Sequence, residues 1–176
     1  MKTNINNLNQ NSVAVDDFFN NALFDKKKGY YSTKNPFGKK GDFVTAPNIS
    51  DIFSEIIGIW IISTWEKLGK PKKINLVELG PGDGSMAKIL IRTFKRFPEF
   101  YSSANFFLYE KSKLLIKIQK KKIKVKGNKV FWIKDFKEIK DGPVIFFGNE
   151  FFDAIPIKQF QVHGNHYFEK YLSRKR

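Results

Sequence analysis

The sequence predicts an α/β fold with a parallel sheet, because apolar strands and helical segments alternate along its second half. Apolar runs indicate strands at 74–79, 105–110, 129–134 and 143–148, and helical spacing indicates helices at 85–97 and 112–122. Strands that alternate with helices in this way are typically joined by right-handed crossovers. The last of these runs is continuously apolar, which predicts a central strand that is covered on both faces.

Residues 1–70 predict an appendage of helices and loops that precedes a sheet domain at 71–176. Residues 1–11 are polar and are expected to be disordered. A short amphipathic helix is expected between Val13 and Leu23. The segment 29–47 is rich in glycine, proline and aromatic residues, which predicts a loop without regular structure.

Two other segments have a clear periodicity of their own. Apolar residues recur at helical intervals over 49–68, which predicts a long and largely buried helix. Its longest apolar run, 56–62, is much shorter than the ~20 residues that span a bilayer. Near the end of the chain, segments 157–162 and 166–172 flank Gly164-Asn165 and predict a β-hairpin.

The composition limits the chemistry and the partners of the chain. There is no cysteine, which excludes disulfides and thiolate catalysis, and the two histidines, His163 and His166, are expected at the surface and form no metal site. Lysine and arginine total 32 against 17 acidic residues, a net charge of +15. This excess suggests an anionic partner, but the lysines are spread widely, with one dense run at 117–126, which favours solvated faces over a nucleic-acid surface. The polar N-terminus has no apolar secretory core, so a cytoplasmic protein is expected.

A glycine-rich turn, Gly80-Pro81-Gly82-Asp83-Gly84, joins the strand at 74–79 to the helix that begins near Ser85. Glycines at such a crossing let the backbone approach a nucleotide-like ligand closely. The pattern is G-x-G-x-G, with Ser85 where the dinucleotide pattern G-x-G-x-x-G has its last glycine, and Glu78 precedes the first glycine by two residues. This combination favours S-adenosylmethionine (SAM) over NAD. A tight turn with positive φ would also require glycine, so an NAD oxidoreductase stays an alternative.

A second acidic residue, Glu110, ends the next predicted strand. It lies about 25 residues after the glycines, close to the ~20 at which an acid binds ribose hydroxyls in this architecture. Glu78 is expected to attract the ammonium group of the cofactor and Glu110 to accept its ribose hydroxyls. A solvated strand end is the alternative explanation for Glu110.

Short motifs spread over nearly the whole chain carry a family resemblance. They are Gly29-Tyr30-Tyr31, Gly41-Asp42-Phe43-Val44-Thr45-Ala46-Pro47-Asn48-Ile49-Ser50, the helix residues Phe53, Glu55, Gly58 and Trp60, the turn VELGPGDGS at 77–85, Tyr109-Glu110-Lys111-Ser112 with Leu115 and Gln119, and Gly148-Asn149-Glu150-Phe151-Phe152-Asp153-Ala154-Ile155-Pro156. Together they resemble the MidA-type SAM-dependent methyltransferases, whose mitochondrial members assist assembly of respiratory complex I. The last motif is similar to NEFFDALP of that family. Asn48 and Ser54 depart from the family pattern, which has an acidic residue and a glycine there.

The resemblance implies a partial Rossmann-like class I methyltransferase sheet, since family members continue well beyond residue 176 and the chain would be truncated or a fragment. It implies three groups of site residues: Glu78, Gly80, Pro81, Gly82, Asp83, Gly84 and Glu110 for SAM, Asn149, Glu150 and Asp153 for catalysis, and Tyr30, Tyr31, Asp42, Phe43 and Thr45 for a lid on the substrate side. The implied reaction is protein arginine methylation, with a complex I subunit as substrate. The implied location is a bacterial cytoplasm or, in a eukaryote, the mitochondrial matrix.

Arginine chemistry makes Glu150 and Asp153 sensible catalytic residues. A guanidinium is almost always protonated, so two carboxylates can bind it in a fork and bias its charge away from the attacking nitrogen. Alternatively, these acids cap a turn, and the lid residues only pack the appendage. An RNA methyltransferase and a non-catalytic SAM-binding assembly factor remain open as alternative functions.

Overall fold

The computed structural model describes residues 12–38, 41–124, 129–139 and 141–173. The predicted disordered segment 1–11 lies outside the described residues. The chain divides into two compact units: Lys34–Phe151 form one, and the described residues up to Thr33 together with those from Phe152 onward form the other. The predicted division after residue 70 stays a prediction.

The elements alternate in the order that the sequence predicts for an α/β fold. In chain order they are β1 (Ser12–Ala14), α1 (Val15–Phe24), α2 (Tyr30–Thr33), α3 (Ala46–Ile49), α4 (Asp51–Lys67), β2 (Ile74–Leu79), α5 (Ser85–Phe94), α6 (Pro98–Ser103), β3 (Ala104–Tyr109), α7 (Lys113–Lys122), β4 (Val130–Ile133), β5 (Val144–Phe147), β6 (Phe160–His163), β7 (His166–Glu169) and β8 (Tyr171–Ser173). Short 3₁₀ turns lie at Phe136–Glu138 and Phe151–Ala154.

The larger unit is built on a parallel sheet with strand order β4-β3-β2-β5, which confirms the predicted fold class. Strand β2 is central and is buried from Ile74 to Glu78. Helix α5 buries its apolar face, and α4 packs on α5 where Gly58 leaves room for Leu90 and Thr93. Because the described strands of this sheet are parallel, their carboxyl ends lie at one edge of the sheet. Open α/β sheets bind ligands at that edge.

The predicted central strand at 143–148 is an edge strand within the described residues. Strand β5 pairs with β2 on one side only, and Val144 and Phe146 are 38% and 49% exposed. The prediction was wrong because a continuous apolar run shows that both faces of a strand are apolar. It does not show that a further strand pairs with it.

The predicted long helix at 49–68 differs from the structure in two ways. Ser50 is extended and separates α3 from α4, and its hydroxyl accepts a hydrogen bond from the backbone N–H of Ile52 at 3.2 Å. The helix is also buried along one face only, because Ile52, Ile56 and Trp60 are 64%, 62% and 55% exposed. The seven successive positions 56–62 of this helix are apolar, so this stretch of sequence contains no polar stripe to mark the exposed side.

The predicted helix at 85–97 ends earlier, at Phe94. Pro98 starts a separate helix, α6, which the sequence pattern missed. A proline disfavours helical backbone in the preceding residue, so Phe97 leaves the helix and Pro98 takes the first turn of the next one. Rings of Phe94 and Phe100 then pack 4.9 Å apart in the core.

The smaller unit contains the predicted hairpin and a strand pair that was not predicted. Strands β6 and β7 pair antiparallel around Gly164, whose φ is +58°, which confirms the hairpin. Strand β1 pairs with β8, so Ser12–Ala14 is extended and the predicted helix begins at Val15. None of the helices in the described part of the chain combines the length and the apolar character needed to cross a membrane.

Candidate functional site

The glycine turn between β2 and α5 depends on backbone conformations that only glycine adopts easily. Gly80, Gly82 and Gly84 have φ values of +60°, +54° and +79°. The N–H of Gly84 closes the turn by donating to the carbonyl of Pro81 at 2.8 Å. A Cβ on Gly80 would lie 2.7 Å from the ring of Phe151, so this glycine is required by both conformation and space.

Glu78 is a buried carboxyl group near the carboxyl end of β2. The residue is 3% exposed, and its Oε2 atom has no hydrogen-bond partner among the described residues. Burial, and to a smaller extent the charge of Asp83, raise the pKa of Glu78 to about 8. An unpartnered buried oxygen costs ~1–3 kcal/mol, so its presence beside a ligand-type turn indicates that a donor belongs there.

Glu110 follows β3 directly and lies beside the glycine turn. The N–H of Gly80 donates to the carbonyl of Tyr109 at 3.1 Å, which fixes the neighbouring position of Glu110. Its Oε1 accepts from the N–H of Ser112 at 2.8 Å, and its Oε2 accepts from Nε2 of Gln119 at 3.3 Å. Burial raises the pKa of Glu110, and the bonds from Ser112 and Gln119 oppose this. A carboxylate has about four acceptor positions, so these bonds orient Glu110 and leave capacity for ligand hydroxyls.

Gln119 on α7 connects the turn to the strand ends. Its Nε2 donates to the carbonyl of Gly82 at 2.8 Å as well as to Glu110, and its Oε1 accepts from Nε1 of Trp132 at 2.9 Å. The side chain is fully buried. Gln119 appeared in the sequence only as a motif position; its distance of nine residues from Glu110 gave no sign of a shared hydrogen bond.

The carboxylate of Asp83, which lies just before α5, contacts one backbone N–H group and two side chains. Its Oδ1 accepts from the N–H of Ser85 at 3.0 Å, and its Oδ2 contacts Nζ of Lys122 at 2.5 Å. The amide of Asn48 donates to Oγ of Ser85 at 2.9 Å and lies 3.5 Å from Oδ2 of Asp83. Burial alone would raise the pKa of Asp83, but hydrogen bonds from Lys122 and Ser85 lower it below its usual value. Sequence reasoning missed Lys122, which looked like one more residue of a solvated lysine run.

The segment after β5 places Asn149 and Glu150 next to the end of β2. Phe147 pairs with Glu78 in the sheet register, so Gly148 follows beside Leu79. Glu150 is exposed and has a φ of +56°, which is unusual for any residue but glycine. Nδ2 of Asn149 donates to Oε1 of Glu150 at 3.1 Å. Strained backbone of this kind costs ~1–3 kcal/mol and concentrates at functional sites.

The sequence and the fold of this chain match those of known proteins. A family model described as "Putative S-adenosyl-L-methionine-dependent methyltransferase" matches residues 56–176. The chain belongs to this family. The mitochondrial protein arginine methyltransferase NDUFAF7 of Xenopus laevis is 36% identical over 85% of this chain and 39% of its own length, and that of Homo sapiens is 32% identical over the same shares. The homologue of Drosophila melanogaster is 31% identical over 88% of this chain and 40% of its own length.

A structural comparison supports the same fold. A crystal structure from Burkholderia thailandensis, bound to S-adenosyl-homocysteine, superimposes with a TM-score of 0.76 over 94% of this chain and 43% of that protein, at 22% identity. A native structure from the same organism gives a TM-score of 0.70. The chain therefore has the fold of these proteins and spans about 40% of the length of the curated relatives it matches.

The residues of the larger unit that were predicted to form a lid do not all contact the glycine turn. In the larger unit, Nζ of Lys34 lies 2.5 Å from Oδ2 of Asp42, and Oγ1 of Thr45 donates to Oδ1 of Asn48 at 3.4 Å. The N–H of Phe43 donates to the carbonyl of Pro36 at 2.8 Å. Thr45 is thus connected through Asn48 to the turn, whereas Asp42 and Phe43 contact their own loop.

Three predicted residues belong to the smaller unit. Tyr30 and Tyr31 lie in α2, where Tyr31 stacks on Phe24 at 5.7 Å and contacts the Tyr30 ring at 5.3 Å. Asp153 is exposed in the 3₁₀ turn Phe151–Ala154. The lid role of the tyrosines and the catalytic role of Asp153 stay predictions. Within the described ranges, no group of three or more histidine or acidic side chains could hold a metal ion.

Proposed function

We propose that this chain forms the cofactor-binding part of a SAM-dependent methyltransferase that modifies protein arginine. One observation carries the proposal. Two buried carboxyl groups, Glu78 and Glu110, lie at the carboxyl ends of neighbouring parallel strands and flank a turn of three left-handed glycines. A ligand with a cationic end and a ribose requires acceptor groups at this edge of the sheet, and the two carboxyl groups supply them.

Each part of the turn has a defined task in this proposal. The Oε2 atom of Glu78, which lacks a donor, accepts from the ammonium group of the methionine part. Glu110, oriented by Ser112 and Gln119, accepts the ribose hydroxyls. Gly80, Gly82 and Gly84 let the main chain approach the ligand, and Pro81 and Asp83 hold the turn in shape through their bonds to Gly84 and Ser85.

SAM supplies a methyl group that is already activated on a sulfonium, so the protein mainly has to position an acceptor nitrogen. Holding two reactants in line can contribute ~7–11 kcal/mol to lowering a barrier. Glu150 binds the guanidinium of the acceptor and keeps its charge away from the attacking nitrogen, and Asp153 is the second proposed catalytic carboxylate. Asn149 holds the Glu150 carboxylate through its amide. The strained backbone of Glu150 supports a role of this segment in function.

The substrate class follows from the curated relatives, which are named protein arginine methyltransferases of mitochondria. A subunit of respiratory complex I is the proposed substrate, and the mitochondrial matrix, or the cytoplasm of a bacterium, is the proposed location. The chain covers about 40% of those relatives, so transfer by this chain alone is part of the proposal.

Labelled-methyl transfer tests the proposal. Purified chain and methyl-labelled SAM are added to a cell extract, and the protein and RNA fractions are hydrolysed separately. We expect label in methylarginine, and a loss of about 100-fold or more in Glu150→Gln and in Asp153→Asn, with binding of S-adenosyl-homocysteine unchanged. Glu99→Gln, which removes an exposed acid elsewhere in the larger unit, is the matched control.

Each alternative function has its own outcome in this experiment. Label in the RNA fraction would identify an RNA methyltransferase. Binding of S-adenosyl-homocysteine without transfer to either fraction would identify a non-catalytic binding protein. Transfer that persists in both carboxylate variants would remove Glu150 and Asp153 from the mechanism.

A further inference from the structure

Lys122 differs from the other lysines of α7. The side chains of Lys113, Lys117, Lys120 and Lys121 are exposed on the outer face of that helix. Lys122 instead lies three residues after the buried Gln119 and turns toward the glycine turn. Its side chain is 30% exposed, and that of its partner Asp83 is 12% exposed. A half-buried pair of this kind is screened much less by solvent than a surface pair.

We propose that Lys122 is a positioning residue for the cofactor site: by holding and neutralising Asp83, it reduces the negative charge beside Glu78, the carboxyl group that meets the cationic end of the ligand. The inference rests on the proposed function and adds a residue that neither acidic motif contains. It concerns how the site obtains its charge rather than what the ligand is.

The contacts show how the charge of Asp83 is compensated. Nζ of Lys122 lies 2.5 Å from Oδ2 of Asp83 and 2.9 Å from Oγ of Ser85. The amide of Asn48 approaches the same two groups at 3.5 and 2.9 Å. Asp83 therefore receives one full positive charge and several neutral donors at the first turn of α5. The amide N–H of Asn48 can donate to Asp83, whereas a carboxylate in its place would repel Asp83.

Without Lys122, the charge of Asp83 would act more strongly on Glu78. Burial is the main reason why the pKa of Glu78 is raised, and the charge of Asp83 adds to it. The other described acids that follow strands at this edge of the sheet are Glu110 after β3, Asp135 and Glu138 after β4, and Glu150 after β5. Lys122, from α7, is the cation that the described contacts bring to this group of acids. Removing it would keep Glu78 protonated to higher pH, and a protonated Glu78 attracts an ammonium group only weakly.

The test compares Lys122→Met with Lys121→Met. The second variant removes the same charge from the neighbouring residue, which is exposed on the same helix. The ionisation of Glu78 is followed in the ligand-free protein by the ¹³C shift of its carboxyl carbon, assigned with Glu78→Gln. We expect the midpoint to move to higher pH in Lys122→Met and to stay at the wild-type value in Lys121→Met. Lys122→Arg should also keep the wild-type midpoint, because it retains the charge.

Binding of S-adenosyl-homocysteine supplies the second readout. At pH 7 we expect Lys122→Met to bind about 10-fold more weakly, with the loss shrinking as the pH rises toward 9, since tenfold corresponds to a midpoint change of one pH unit. In the Asp83→Asn, Lys122→Met double variant, the Glu78 midpoint should return toward wild type. A purely structural role would instead weaken binding equally at every pH.

The outcomes separate this inference from the proposed function. An unchanged Glu78 midpoint in Lys122→Met, or an equal change in Lys121→Met, would overturn the inference. If the wild-type chain does not bind S-adenosyl-homocysteine, the proposed function fails, and the midpoint in the ligand-free protein still decides whether Lys122 acts on Glu78 through Asp83.

Discussion

The glycine turn and the segment after β5 lie at the same edge of the sheet but are stabilised in different ways. Around the turn, Glu78, Glu110 and Gln119 are buried and connected by hydrogen bonds to neighbouring elements. After β5, Glu150 is exposed, strained and bonded to the adjacent Asn149. The comparison indicates that the acids at the glycine turn are held by neighbouring elements, whereas the exposed Glu150 carboxylate after β5 is bonded to its chain neighbour Asn149.

The largest expected effect concerns Glu78. The folded protein holds the proton of Glu78 up to about pH 8, whereas the unfolded chain releases it near pH 4.5. The stabilising contribution of this group is therefore complete below pH 4.5. It is lost as the pH rises toward 8, and the free energy of unfolding falls by roughly several kcal/mol. Glu78→Gln should stabilise the protein at pH 8 and change little at pH 4.5, as measured by urea unfolding at both values. An equal effect at both pH values would contradict the buried, protonated state.

The next effect tests whether the turn is already packed. Gly80→Ala adds a methyl group 2.7 Å from the Phe151 ring at a φ of +60° and should cost ~2–4 kcal/mol. Gly69→Ala is the matched control, because Gly69 has a φ of +81° but no atom near the added group. It should cost only ~1–2 kcal/mol. Equal losses in thermal or chemical unfolding would mean that Phe151 does not pack on the turn.

A third comparison measures the hydrogen bonds on the two sides directly. Gln119→Leu leaves Trp132 Nε1 and the Gly82 carbonyl without their partner in a buried place and should cost ~1–3 kcal/mol. Asn149→Ala removes one exposed hydrogen bond to Glu150 and should cost less than ~0.5 kcal/mol. Both free energies of unfolding can be read from the same denaturant series. Similar values would remove the contrast between the two regions.

The smallest effect concerns backbone strain at Glu150. Glu150→Gly should be more stable than Glu150→Ala by about 1 kcal/mol, because both lose the carboxylate and only glycine relieves the positive φ. Thermal unfolding of the two variants gives this difference. If alanine is the more stable of the two, the strained conformation is not kept in solution.

Much of the fold and of the geometry of the glycine turn could be predicted, because local sequence determines both. Strand-helix alternation, the glycines and Glu110 are separated by short distances along the chain, and a left-handed turn permits few residues other than glycine. The edge position of β5 and the exposed face of α4 could not be predicted, because an apolar residue does not show which neighbour covers it. Lys122 could not be distinguished from its neighbouring lysines, because its contact with Asp83 depends on how α7 packs on the turn.

The central claim is that Glu78, Glu110 and the glycine turn bind SAM, and calorimetric titration with S-adenosyl-homocysteine tests it most directly. We expect the wild-type chain to bind, and Glu110→Ala to bind on the order of 100-fold more weakly, since two hydrogen bonds to a charged acceptor are lost. Glu138→Ala, which removes an exposed acid after β4, should bind like wild type. No binding by the wild-type chain, or unchanged affinity in Glu110→Ala, would contradict the account.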